Sequence, residues 1–332
     1  MNLIQQFRSL NSGIQFSLWW QLGLFLPSLL ALPFDRRKIL GLNPWIKPLK
    51  FEISVAIFLL TIGFVMRQLN SSPKAVNLIG WIIGIAMILE NTLIVFQSAR
   101  GVRSHMNYTS AFDGVIFSFM GVGIGVNTLA LAALLLLSFR PAADWTWPAP
   151  VVLATRLGLA VLIWGSLEGV AIVNNKQHTV GAPDSGDGLP FVNWSTTHGD
   201  LRIAHFFALH ALQAFLLLGF LISRTSLPKS LQSGSVIAFA VLYLAACWWL
   251  YREAVAGRSP VTMWTAAAIR TLPPSSNFAN SAASASLAPR TAGSPASASS
   301  SPNEPYAASA NAAASAAGSP PPTGNVPRQS ST

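Results

Sequence analysis

Charge is what this sequence has least of. Only 10% of its 332 residues are Asp, Glu, Lys or Arg, where a soluble domain carries about 25%. So few charges cannot cover the surface of a water-soluble globule of this length, which excludes an ordinary soluble enzyme. A hydrophobic content of 52% equally excludes disorder over most of the chain. Acids are scarcer than bases, 11 against 21, for a formal charge of +10. In a soluble protein that excess would point to nucleic acid. In a hydrophobic one, with a mean hydropathy of +0.47, it points to loops facing anionic lipid, and nucleic acid is not the expected partner. A single cysteine, Cys247, excludes an intramolecular disulfide and a cysteine-rich zinc site.

What is present is apolar length. A helix needs about 20 apolar residues to cross a hydrocarbon core. Seven runs meet that need, at about 14–32, 49–66, 75–96, 112–138, 151–173, 203–222 and 235–251. Backbone groups in lipid must pair within their own segment, so these are helices. Trp19, Trp20, Trp145, Trp147, Trp248 and Trp249 stand in or beside them, as aromatic side chains at headgroup depth do. The expected fold is an all-α, polytopic transmembrane bundle over 1–272. An Ala-, Ser- and Pro-rich tail over 273–332 has too little apolar surface to offset its ordering entropy and is expected to be disordered.

Loop charges orient the bundle. Twelve basic residues fall on the side of the 1–2, 3–4 and 5–6 loops and the C-terminus, and the first loop, with Arg36, Arg37, Lys38 and Lys47, supplies most of the bias. Seven fall on the other side, counting Arg156. The positive-inside rule then places the N-terminus outside and the C-terminus in the cytoplasm. The first run has Arg8 before it, three basic residues after it and no A-x-A-like cleavage site, so it reads as a retained helix. Gly80 and Gly84, Gly121 and Gly125, and Gly165 and Gly169 are each four apart, and each pair predicts a smooth face for close helix packing.

The few ionisable residues within the spans cluster at one depth. Glu52, Glu90, Asp113, Glu168, His205 and His210 come from five helices, and all fall in the half nearest the basic side. Such residues are costly in lipid and face a bundle interior or a wet cavity. They are the candidate lining of a polar cavity for a small polar or anionic ligand or for protons. Lys50, Arg100, Arg103, His105, His198, Asp200 and Arg202 are the candidate mouth, with Lys47 approaching it. Ion pairs and hydrogen bonds that merely lock the bundle would use the same residues, among them a histidine of the sixth span bonded to Glu90 or Glu168. His205 and His210 stand about 140° apart on a helix and cannot share one metal. A haem, quinone or metal enzyme is an alternative, with His105, His198, Met106 or Met120 as a second haem ligand. A purely structural or assembly protein is another.

Three segments carry a resemblance. Asn43-Pro-Trp-Ile-Lys-Pro-Leu-Lys-Phe, Ser104-His-Met-Asn-Tyr-Thr-Ser-Ala-Phe-Asp and Gly188-Leu-Pro-Phe-Val-Asn-Trp-Ser-Thr-Thr-His-Gly-Asp-Leu-Arg-Ile-Ala-His-Phe resemble a group of uncharacterised bacterial multi-span membrane proteins. The resemblance covers about 42–251 and implies a bacterial inner-membrane location. It brings no activity and no site residues.

Overall fold

The computed structural model describes residues 3–69, 73–140, 145–184 and 188–262. The expected disordered tail at 273–332 lies outside them. The helices are α1 (Leu3–Arg8), α2 (Ser12–Ala31), α3 (Ile46–Met66), α4 (Pro73–Arg100), α5 (Ala111–Leu137), α6 (Ala149–Asn175), α7 (Leu201–Leu209), α8 (Ala211–Ser223) and α9 (Lys229–Val255). Between α6 and α7, two short strands, β1 (Thr179–Val180) and β2 (Gly199–Asp200), pair antiparallel with Thr179 opposite Asp200.

Six of these helices are long and apolar enough to cross a membrane, or seven if the bent pair of α7 and α8 is one broken span. Large apolar side chains such as Leu30, Leu78, Leu129, Leu217 and Leu242 point outward from the bundle. An apolar surface of that extent belongs in lipid. The chain is an all-α, multi-pass integral membrane protein. All seven expected spans coincide with helices, several of which run further than expected. α3 starts at Ile46, which brings Lys47 and Lys50 into its first two turns. Pro48 is tolerated there because first-turn N–H groups have no intrahelical acceptor.

The sixth span departs from the expected single helix. It breaks at His210 and bends by 44°. His210 has φ −93° and ψ 6°, outside the helical well. Both halves nevertheless lie along α6. A Cβ on Gly165 would stand 2.5 Å from Ala208 Cβ, and one on Gly158 would stand 3.0 Å from Leu212 Cα.

The seam between α2 and α4 is equally close. A Cβ on Gly84 would meet the Gly13 carbonyl oxygen at 2.5 Å, and one on Gly80 would meet the Asn11 side chain at 2.4 Å. Asn11 caps α2 by accepting from the N–H groups of Gly13 and Ile14, and donates to Asn77 Oδ1 at 3.0 Å. Further along, Asn91 donates to Gln21 at 2.5 Å. The first apolar helix is an integral part of the bundle. By contrast, Gly121 and Gly125 meet nothing within 4 Å. The spacing argument fails at that pair, because α5 packs on α4 and α6 with its other faces. Arg156, the basic residue out of pattern in the apolar runs, donates to the Ser138 carbonyl at the C-cap of α5 at 2.6 Å and lies over the Phe139 ring. A cation at a helix C-terminus meets the negative end of its dipole.

Candidate functional site

The loop after α4 turns back into the bundle. Gly101 reverses the chain at φ +75°, and Met106 continues it at φ 51°. Asn107 fixes the turn: its side chain donates to the Arg103 carbonyl at 3.0 Å and accepts from the Thr109 hydroxyl at 2.7 Å. Ser104, Met106 and Asn107 are buried, and His105 between them is held between the rings of Phe51 and Phe117. Glu90 lies ten residues before the end of α4, about 15 Å along its axis. The loop reaches it there.

His105 joins two charged groups. Its Nε2 stands 3.2 Å from Glu90 Oε1, and its Nδ1 stands 3.2 Å from Lys47 Nζ and 3.1 Å from Ser104 Oγ. These partners set the tautomer. An ammonium or hydroxyl donates to Nδ1, so Nε2 carries the ring proton and donates to Glu90. Burial and the nearby Lys47 charge hold the His105 pKa below its usual value, against the pull of Glu90. The imidazole side chain is 27% exposed and the Glu90 side chain 6%. The histidine therefore stands at the surface end of the carboxylate.

Cations surround this chain. The charges acting on Lys47 come from Glu90, Lys50, Arg202 and Arg103, one acid against three bases. Lys50 Nζ donates to the Phe191 carbonyl at 2.5 Å. Arg202 donates through Nε and Nη2 to the two oxygens of Asp200, at 2.9 and 2.5 Å, and also to the Asn193 carbonyl. Asp200 is fully buried, caps α7 and accepts from the Ser195 N–H as well. Asp200 and Arg202 thus hold the loop before α7 in place. His198 pairs by backbone with Arg258, and its ring lies 2.9 Å from the Thr197 hydroxyl.

The remaining expected lining residues do not share this place. Asp113 sits at the start of α5 and accepts from Arg100 at 2.6 Å, Gln97 at 3.0 Å and Ser110 at 2.6 Å, while Ser110 caps its backbone N–H. Its two oxygens are saturated, and Arg100 is drawn over Phe96 and Phe112. Glu52 is buried against α2, where Ser28 donates to one oxygen at 2.8 Å and the other has no partner. Glu168 is buried in α6 with neither oxygen partnered. His205 donates from Nδ1 to the Gly165 carbonyl at 2.8 Å. His210 stacks its ring on Phe206, 4.4 Å between centroids, at the helix break. The histidine on Glu90 is therefore the loop residue His105, and neither sixth-span histidine takes that place.

One pair escaped the sequence reading. His178 Nδ1 lies 2.8 Å from Asp184 Oδ2, and Asp184 also accepts from the backbone N–H groups of His178 and Thr179. These bonds hold the Asp184 carboxyl well below the usual carboxylate range. His178 feels both Lys47 and Arg202. No motif marks the spacing, and the pair lies outside every span; only its position between α6 and a turn-rich loop hinted at it.

Among the described residues, no three His, Cys, Asp or Glu side chains are grouped to hold a metal ion. The metal-enzyme alternative therefore finds no ligand group among these residues. Chemically, the linked groups offer proton transfer. A proton can enter at Nδ1 of His105 while Nε2 gives one to Glu90, with each gap a single hydrogen bond. Comparison of the chain with protein-family models, with curated proteins and with solved structures finds no match.

Proposed function

We propose that this protein is a proton-handling membrane protein of the transporter class, with its proton port at the cationic face. The observation that carries the reading is the His105 imidazole, bridging Lys47 and Glu90 at 3.2 Å on each side. A proton-handling histidine needs a donor on one nitrogen, an acceptor on the other and a route to water. His105 has the donor and the acceptor, and its partly exposed ring supports the third. The excess of bases around Lys47 favours a small anionic ligand as the species that travels or binds with the proton. The basic loop residues also support a cytoplasmic position for this face, with the N-terminus outside, and the resemblance of the three loop segments supports a bacterial inner membrane.

The test is proton entry into liposomes holding the purified protein and a pH-sensitive dye, driven by a potassium diffusion potential. Wild-type protein should conduct protons. His105→Ala and Glu90→Gln should lower the flux by about tenfold or more while the folded protein still elutes as one species. Wild-type flux in His105→Ala would defeat the reading. A small-anion screen by thermal shift, repeated in Lys47→Met, tests the ligand class.

A further inference from the structure

Glu168 has an environment unlike that of any other buried acid in the described residues. Each of the others holds at least one hydrogen-bond donor or cation, down to Glu52 with the single Ser28 hydroxyl. Glu168 is buried, and both of its oxygens are buried without a partner. It lies in α6, seven residues before the helix ends at Asn175. The flanking residues Leu167 and Val170 face outward, so the carboxyl sits one layer beneath the lipid-facing surface.

Among the described residues, no cation forms an ion pair with it. From α7, the His205 ring lies along the same stretch of α6. It donates to the Gly165 carbonyl, and a Cβ on Gly169 would meet its Cε1 at 3.4 Å. With its ring proton on Nδ1, His205 keeps a lone pair on Nε2. From α9, the titratable group that feels Glu168 is the buried Cys247. Among the described residues, an ionised carboxylate here would have no donor and no paired countercharge, and a group so placed gives up its charge.

We propose that Glu168 is a membrane-buried proton-exchange site, held as a neutral carboxylic acid. Its place in a proton path rests on the proton-relay reading above; the acid state of Glu168 does not. Such a group is a modification site for membrane-soluble carbodiimides, which react with the protonated acid. The carboxyl O–H adds across one C=N bond: a C–O bond forms to the central carbon and the proton moves to nitrogen. The acyl group then migrates from oxygen to nitrogen, leaving a stable N-acylurea. Nothing is oxidised and nothing leaves.

The experiment treats reconstituted wild-type protein with dicyclohexylcarbodiimide and maps adducts by peptide mass spectrometry. The expected result is an N-acylurea on Glu168. It should be lost in Glu168→Gln, kept in Cys247→Ser and absent with a water-soluble carbodiimide. Glu52 should react less, and Asp113 and Glu253, both ion-paired, not at all. An unlabelled Glu168, or one labelled equally by the water-soluble reagent, overturns the buried acid. Proton flux separates the second half of the proposal. Glu168→Gln should lower wild-type flux by about tenfold or more, and undiminished flux beside confirmed labelling overturns its place in the path. Absence of flux in the wild type fails the relay reading and that place together, and leaves the labelling result to decide the acid alone.

Discussion

Gly84→Ala and Gly121→Ala are the same substitution in equivalent pairs of glycines four apart, and they should have opposite effects. At Gly84 the new methyl would stand 2.5 Å from the Gly13 carbonyl oxygen, where ordinary contact begins at 3.4 Å. The obstacle is backbone, so no rotamer can yield, and α2 and α4 must separate by the difference, about 0.9 Å. That shift stretches the buried Gln21–Asn91 bond, 2.5 Å long, and the Asn11–Asn77 bond, 3.0 Å long. Overpacking costs about 1–3 kcal/mol, and a weakened buried hydrogen bond adds about 0.5–1 kcal/mol. The better helix propensity of alanine returns up to about 1 kcal/mol. The net loss is about 1–3 kcal/mol. At Gly121 nothing lies within 4 Å, so only the propensity gain remains. Reversible unfolding in mixed micelles, read by helical circular dichroism, measures both. If the two variants move the midpoint in the same direction by like amounts, the close α2–α4 crossing is wrong.

Three other outcomes follow from the polar contacts. Asp113→Ala should destabilise the protein, because Arg100, Gln97 and Ser110 lose their common acceptor. The loss should appear in unfolding midpoints, and proton flux per folded molecule should stay near wild type. His105 should titrate below 6.5 by nitrogen chemical shifts, since its pKa is lowered chiefly by burial and then by Lys47. Lys47→Met should raise it and Glu90→Gln lower it further, and shifts of the opposite sign would remove the proposed contacts. Because the folded value lies below the unfolded one, the stability linked to neutral His105 is present above pH 6.5 and lost as pH falls through the folded value. Asp184 has its carboxyl pKa depressed as well, so its contribution is present above 3.8 and lost as pH falls through the folded value. Protection against hydrogen exchange across residues 178–184, relative to the intrinsic rate at each pH, should therefore fall in acid, and Asp184→Asn should show that low protection already at neutral pH.

The seven spans were legible because apolar length alone decides them. A run such as 151–173 admits one solution in lipid. The break in the sixth span was not legible, since neither glycine nor proline stands at His210 and the bend arises where two half-helices meet α6. Glycine spacing was half legible: it found Gly80, Gly84 and Gly165, but spacing cannot say whether a second helix arrives, and none reaches Gly121 or Gly125. In the site, Glu90 and His105 were visible as candidates, but their pairing was not. Sequence distance from the helix end placed His105 at the rim, and the turn at Gly101 and Asn107 carried it inward. Asp200 looked like a mouth residue and is instead a fully buried cap on α7.

Depth in the membrane is a weaker guide to function than the number of donors around each acid. Glu52, Glu90, Asp113 and Glu168 were expected at similar depth, yet their surroundings range from full saturation to none. Asp113 takes a guanidinium, an amide and a hydroxyl, so its charge is fixed and a proton has no reason to return. Such a group serves stability. Glu52 holds one hydroxyl. Glu90 holds only an imidazole, itself able to take or release a proton. Glu168 holds nothing. A group that changes protonation must be poorly stabilised in at least one of its two states, or it would never leave the other. On that argument Glu168, with no donor, suits the proposed proton exchange, and the well-satisfied Asp113 is part of the frame that keeps it there.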